Sequence, residues 1–174
     1  TSKLREYVEE LKRLKVEVIR PSINNCFAEF KAETNKIFYG LGAIKSVGFE
    51  AISNIINERE KNGNFKSFLD FINRVNPKDV NKLQLEGMVK AGAFDEIDPN
   101  RKKLLISIPK IISTIKSKYD EKISKQNNLF DTDNFKENED FEFETSDEWT
   151  SKELLAEEFK SLGFYISSHP LNEY

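Results

Sequence analysis

The sequence predicts a mainly α-helical protein with a short β segment near the N-terminus and a flexible acidic linker. Three observations predict this class. A strand-like run over 16–19 and a weak alternation of polar and apolar residues over 27–39 are typical of short strands. A polar, acidic stretch over 126–148 has little periodicity, which is typical of a linker. Apolar residues recur at helical spacing in the segments 4–14, 49–60, 101–125 and 151–162.

The β segment begins with a strand-like run, Val16 to Ile19, that Pro21 stops. The alternation from Phe27 to Tyr39 turns at Thr34-Asn35, which predicts a hairpin.

The helices have terminal signals of their own. Gly63 follows the helix that starts at Phe49, and Ser67 is placed to cap the next one. Pro77 opens a third helix, which closes near Lys90. A long basic helix follows from Arg101 to about Lys125, and Pro109 within it predicts a kink or a break.

The net charge is −3 over 174 residues, which excludes a uniformly basic nucleic-acid-binding surface. This net value hides an uneven distribution of charge along the chain. Residues 101–125 hold eight Lys or Arg and two Asp or Glu, for a net charge of +6. Residues 131–148 hold nine acids and one Lys, for a net charge of −8.

One cysteine, Cys26, and one histidine, His169, give neither an internal disulfide nor a closed zinc site. We therefore expect a reducing, cytoplasmic location. No apolar run approaches the length of a membrane span, and no signal peptide opens the chain, so no membrane partner is expected. Because the chain starts at Thr1 directly in an amphipathic segment, we expect it to be part of a longer protein.

The segment Ile44-Lys-Ser-Val-Gly48 has the pattern of a helix-hairpin-helix element, in which a tight turn precedes a good helix. Free backbone amides and the positive end of the helix dipole would bind a DNA phosphate there, independently of base sequence. The candidate DNA-binding residues are Gly42, Lys45, Ser46, Val47 and Gly48.

Ser46 stands where the pattern has its first glycine. If this position needs a left-handed backbone, serine costs roughly 1 kcal/mol relative to glycine. Phosphate affinity could be lower in consequence, although the hydroxyl could donate in compensation.

A second unit would consist of the helix ending at Lys90, the turn at Ala91 and Gly92, and the helix starting at Arg101. Two such units in tandem straddle a minor groove and hold both strands. The alternative for each unit is an ordinary helix–glycine–helix connection without DNA contact.

The pentapeptide Gln126-Asn-Asn-Leu-Phe130 places an apolar pair in a polar stretch. The form Gln-x-x-Leu-Phe is typical of bacterial peptides that bind the sliding clamp. Leu129 and Phe130 would fill an apolar pocket, and Gln126 would supply orienting hydrogen bonds. The alternative is that Leu129 and Phe130 pack on the chain's own core.

Taken in order, these pieces resemble the alpha subunit of bacterial DNA polymerase III. The segments that carry the resemblance span almost the whole chain: 20–24, 38–48, 63–67, 85–95, 126–130 and 162–174.

The resemblance implies a division into four regions. Residues 1–35 would end the fingers domain, and 36–108 would form a tandem helix-hairpin-helix module on duplex DNA. Residues 109–148 would hold the basic helix, the clamp-binding peptide and the acidic linker. Residues 149–174 would be a helix leading into an OB-fold domain that is absent here.

The resemblance also implies a DNA-directed DNA polymerase whose catalytic aspartates and Mg ions belong to a palm domain upstream of this chain. No catalytic residue, metal site or cofactor is therefore predicted here, and the chain alone should be inactive. The expected partners are double-stranded DNA, the beta sliding clamp and other subunits of the polymerase holoenzyme.

Three other classes remain open on the sequence. A repair or recombination protein could use helix-hairpin-helix units without a polymerase. A protein-interaction module would bind the clamp but show no salt-sensitive affinity for duplex DNA. An independent enzyme is disfavoured, because the sequence shows no convergent set of polar residues.

Overall fold

The computed structural model describes residues 2–127, 141–144 and 147–162, and within them the fold is mainly α-helical as predicted. The strands are β1 (Glu17–Ile19), β2 (Lys31–Glu33) and β3 (Lys36–Phe38), and single 3-10 turns cover Leu41–Ala43 and Pro77–Asp79. The helices are α1 (Ser2–Arg13), α2 (Phe49–Asn62), α3 (Phe68–Arg74), α4 (Lys82–Lys90), α5 (Arg101–Asn127) and α6 (Ser151–Leu162).

The three strands form one small sheet in the order β1-β3-β2. β2 and β3 pair antiparallel around the Thr34-Asn35 turn, which confirms the predicted hairpin. β1 pairs parallel to β3, with Val18 opposite Ile37. The chain leaves the sheet after β3 and enters the 3-10 turn Leu41–Ala43, which precedes α2.

Local capping sets the starts of the middle helices. The Ser67 side chain accepts a hydrogen bond from the Asp70 amide at 3.0 Å, which confirms the predicted cap of α3. The third helix begins later than predicted, because Asn81 and Gln84 form a capping box at the start of α4. Pro77 belongs to the separate 3-10 turn before it.

Helix α5 runs through Pro109 without the break that the sequence allowed. Pro109 lies on the solvent side of the helix, where water can reach the carbonyl that loses its helical partner. On the opposite side, Ile108, Ile111 and Ile115 are buried against the rest of the fold, and this packing holds the helix together.

An aromatic cluster lies at the centre of the core. The ring centroids of Phe68 and Phe71 each lie 5.0 Å from that of Phe94, in edge-to-face geometry. Phe65 lies 5.2 Å from Phe71. These four phenylalanines are therefore part of one buried core.

Part of the predicted acidic linker packs against the fold. The Phe143 ring centroid lies 5.8 Å from that of Phe68, and the Lys103 ammonium lies 4.6 Å above the Phe143 ring. The Glu144 amide donates to Ser107 Oγ at 3.0 Å. Residues 141–144 are therefore anchored on α3 and α5, because alternate aromatic residues supply an apolar contact that the acidic composition obscured. Residues 128–140 and 145–146 lie outside the described ranges.

A buried arginine joins the N-terminal segment to α2. The Arg59 guanidinium donates to the carbonyls of Ile23 at 2.8 Å and Cys26 at 2.5 Å. Burial raises the pKa of the Cys26 thiol to about 11.

In the described ranges, no helix combines the length and apolar character that a membrane crossing would require.

Candidate nucleic-acid interface

The first predicted hairpin is a bend between the 3-10 turn Leu41–Ala43 and helix α2. We call residues 44–48 the hairpin bend. Ile44 and Val47 are buried, 2% and 8% exposed, and they anchor the bend in the core. Lys45, Ser46 and Gly48 are exposed. The bend thus keeps its polar backbone at the surface, as a phosphate site requires.

Two amides of the hairpin bend are available to a ligand. Neither Ser46 nor Gly48 donates its amide hydrogen to any group in the described part of the chain. Gly48 is the N-cap of α2, and no side chain caps that end of the helix. The positive end of the α2 dipole therefore lies beside two free donors, an arrangement that attracts anions.

The other three amides of the bend are already bonded. The Ile44 amide donates to the Leu41 carbonyl at 3.3 Å. The Lys45 amide donates to the carbonyl of Ser161 in α6 at 3.2 Å, and the Val47 amide donates to the Ile44 carbonyl at 3.2 Å. The outward donors are thus fewer than the motif alone suggested. Lys45 is exposed and forms no ion pair with a described residue, so its charge is available at the surface of the bend.

Ser46 has the left-handed backbone that the glycine pattern implied, with φ of 68°. A non-glycine residue in this conformation costs about 1–2 kcal/mol. The buried anchors on either side of the bend hold Ser46 in place.

Replacing Ser46 with glycine is expected to raise the free energy of unfolding by up to about 1 kcal/mol, because relief of backbone strain exceeds the entropy gained by the unfolded chain. The expected rise in melting temperature is about 2–4 °C, measured by thermal unfolding. Ser46→Ala keeps the Cβ and serves as the control, with no such rise. A Ser46→Gly protein that melts below wild type would contradict the strain at this position.

The predicted second turn is present, but it is buried and not exposed to a DNA ligand. Gly92 has the left-handed backbone of a tight turn, with φ of 81°, but it is buried, and so is Ala91. A Cβ on Gly92 would lie 2.4 Å from the Arg101 guanidinium. The second turn is thus covered by the chain's own arginine.

Arg101 is 3% exposed and holds the second turn together. Its guanidinium binds both carboxylate oxygens of Asp95, at 3.0 and 2.7 Å, and the Lys90 carbonyl at 3.1 Å. It also lies 3.7 Å from the carboxylate of Glu158, which is 1% exposed. The expectation of a phosphate-binding Arg101 therefore does not fit this geometry, because two carboxylates already occupy the guanidinium.

Lys90 is half-buried, and its ammonium lies 3.3 Å from the Glu157 carboxylate in α6. Burial alone would raise the pKa of Glu157, but hydrogen bonds from Lys160 and Lys90 outweigh it and lower the pKa. The charge of Lys90 is thus largely neutralised by a carboxylate of the same chain.

Gly42 has a packing role, since its amide donates to the Ala28 carbonyl at 2.9 Å and a Cβ there would lie 2.9 Å from the same oxygen.

Gln126, the first residue of the predicted clamp-binding peptide, is exposed in the last turn of α5. Leu129 and Phe130 lie outside the described residues. Across the parts of the chain that the structure describes, His, Cys, Asp and Glu form no group of three or more that could hold a metal ion.

Sequence reasoning missed the partners that surround the two turns. Glu158 and Ser161 contact them from helix α6, and Ser161 is 74 residues away in sequence from its partner Gly87. No local pattern marks such contacts. The only signal was the amphipathic spacing of α6, which indicates a docked helix without saying where it docks.

A tight, solvent-facing bend at the start of a helix, repeated in a buried form at Gly92, defines a helix-hairpin-helix protein. A family model for the helix-hairpin-helix motif matches residues 15–104, and the chain belongs to this family. Among characterised proteins, the chain is 41% identical over 174 residues to the DNA polymerase III subunit alpha of Borreliella burgdorferi, covering 99% of this chain and 15% of that protein.

Other relatives have the same name. The chain is 32% identical to the DNA polymerase III subunit alpha of Caulobacter vibrioides over 99% of its length, and 37% identical to that of Helicobacter pylori strain J99 over 97%. In each case it spans 15% of the relative's length.

Proposed function

We propose that this chain is the duplex-binding and clamp-binding part of a DNA polymerase III alpha subunit, a DNA-directed DNA polymerase that acts in DNA replication. Identity of 32–41% over 97–99% of the chain supports the assignment to this subunit. Helix-hairpin-helix membership supports DNA binding. A cytoplasmic location and contacts with other holoenzyme subunits belong to the same proposal.

The observation that carries the DNA-binding proposal is the hairpin bend itself. The amides of Ser46 and Gly48, which have no partner in the described part of the chain, lie at the positive end of α2, and Lys45 of the same bend is exposed. These groups suit a phosphate and reach no base edge, so binding is independent of sequence and decreases with salt.

The buried second turn limits the size of the interface. Arg101 is engaged by Asp95 and Glu158, and Lys90 by Glu157, so the first bend supplies most of the contact. Because few phosphates are neutralised, we expect affinity in the micromolar range, as for weak non-specific binding.

Replacing Lys45 with glutamate is expected to weaken duplex binding roughly tenfold at low salt and to reduce the slope of log affinity against log salt by about 1. The measurement is fluorescence anisotropy of a labelled duplex over a salt series. Lys61→Glu is the matched control, since Lys61 is exposed at the far end of α2 and should leave the bend unaffected. Wild-type binding that does not change with salt would refute the phosphate site.

Nucleotidyl transfer is assigned to carboxylates and Mg ions of a palm domain outside this chain. In two-metal catalysis, the ions hold the attacking and leaving oxygens, and the protein fixes the geometry of the metal site. No residue of this chain is assigned a catalytic role.

Gln126, Leu129 and Phe130 are proposed to bind the beta sliding clamp. The peptide begins in the last turn of α5, where Gln126 is exposed to solvent, so a partner could reach this residue. A repair protein with helix-hairpin-helix units is the weaker alternative, because it does not account for relatives of one name over nearly the whole chain.

A further inference from the structure

Helix α6 packs across both turns of the helix-hairpin-helix region. It buries Leu155 and Leu162. Glu158 reaches Arg101 at the second turn, and the Ser161 carbonyl accepts the amide of Lys45 in the first bend at 3.2 Å. Helix α6 therefore contacts the first bend through Lys45 and the second turn through Arg101.

The hairpin bend, α4 and α6 meet at a single point, Gly87. The Ser161 hydroxyl donates to the Gly87 carbonyl at 2.8 Å, and this contact is buried. A Cβ on Gly87 would lie 2.5 Å from the Lys45 carbonyl oxygen, closer than real Cβ contacts allow. Glycine is therefore required here for the close approach of the bend to α4.

The direction of the Ser46 amide follows from this contact. The Lys45 carbonyl and the Ser46 amide belong to one planar trans peptide, so they point in opposite directions. Because the carbonyl points inward against Gly87, the amide points outward to solvent. The Ser161 carbonyl fixes the preceding peptide by accepting the Lys45 amide.

We propose that Gly87 and Ser161 are positioning residues for the DNA-binding bend: together they turn the Lys45–Ser46 peptide so that its amide faces a phosphate. This inference rests on the proposed duplex binding. It gives α6 a role in DNA affinity through its contacts with the bend and with α4.

Gly87→Ala is the most direct test. Alanine favours the helical backbone of α4 more than glycine does, so the variant should fold. Its methyl group displaces the Lys45 carbonyl and turns the peptide. We expect the amide resonances of Ser46 and Gly48 to shift in the free protein, and duplex affinity to decrease at least fivefold at every salt concentration. Leu83→Ala, at a residue of α4 that is 63% exposed, is the control and should change neither.

Ser161→Ala provides a second variant that adds no bulk. It removes the hydroxyl bond to Gly87 and should shift the same two resonances, with a smaller loss of affinity. If both variants unfold, or if their resonance changes stay within α4 and α6, the residues are merely structural and the proposal is overturned. Shifted resonances with unchanged duplex affinity would also overturn it.

The two readouts separate this inference from the proposed function. If the wild-type chain shows no salt-dependent binding to duplex DNA, both the proposed function and the positioning role are contradicted. If the wild-type chain and the Gly87→Ala chain bind duplex DNA equally well, only the positioning role is contradicted.

Discussion

Replacing Arg101 with methionine is expected to lower the free energy of unfolding by about 3–5 kcal/mol, as for removal of one partner of a buried ion pair. Methionine retains much of the side-chain volume, so the effect comes from charge. Asp95 loses both of its hydrogen bonds to the guanidinium, and the carboxylate of Glu158, which is 1% exposed, loses a nearby cation. Urea denaturation followed by circular dichroism measures the change.

Lys102→Met is the matched control for Arg101→Met. Lys102 is the next residue of α5, is only half-buried and forms no ion pair with a described residue, so a change within about 0.5 kcal/mol is expected. If Arg101 contacted DNA instead, its replacement would weaken duplex binding with little loss of stability. That result would restore the second turn as a phosphate site.

Replacing Leu129 and Phe130 together with alanine is expected to reduce clamp binding by at least 100-fold, because apolar anchors that fill a pocket each contribute about 2 kcal/mol or more. The measurement is surface plasmon resonance against the beta sliding clamp of the same organism. Asn127→Ala with Asn128→Ala is the control, since these positions are variable in the Gln-x-x-Leu-Phe pattern.

If the peptide serves only as a clamp contact, the double replacement should leave DNA binding and the unfolding transition unchanged. Retained clamp affinity would show that the peptide is not the contact. A large loss of stability would instead favour the alternative in which Leu129 and Phe130 pack on the chain's own core.

The elements that were predictable from the sequence have local causes. Helix α6 was predicted and found over residues 151–162, because its apolar spacing is regular and its first turn is polar. The β-hairpin turn at Thr34-Asn35 and the cap at Ser67 also depend on near neighbours in sequence. The motif raised a left-handed backbone at Ser46 only as a condition, and the structure shows that the turn has it, with φ of 68°.

The features that were not predictable depend on partners far along the chain. Arg101 has the sequence context of a surface cation at a helix start, and only the fold brings Glu158 to it. Phe141 and Phe143 are surrounded by acids, yet Lys110 and Lys103 lie over their rings and hold them on α5. The start of α4 was misplaced because Asn81 and Gln84 cap each other more effectively than Pro77 marks a helix start.

The central claim, that free amides of the hairpin bend bind duplex phosphates, is tested most directly by titrating a short duplex into the isotope-labelled chain and following amide resonances. The account predicts that the largest shifts occur at Ser46 and Gly48, that they are independent of the duplex sequence and that they disappear at high salt. Shifts centred on any other surface, with these two amides unmoved, would contradict it.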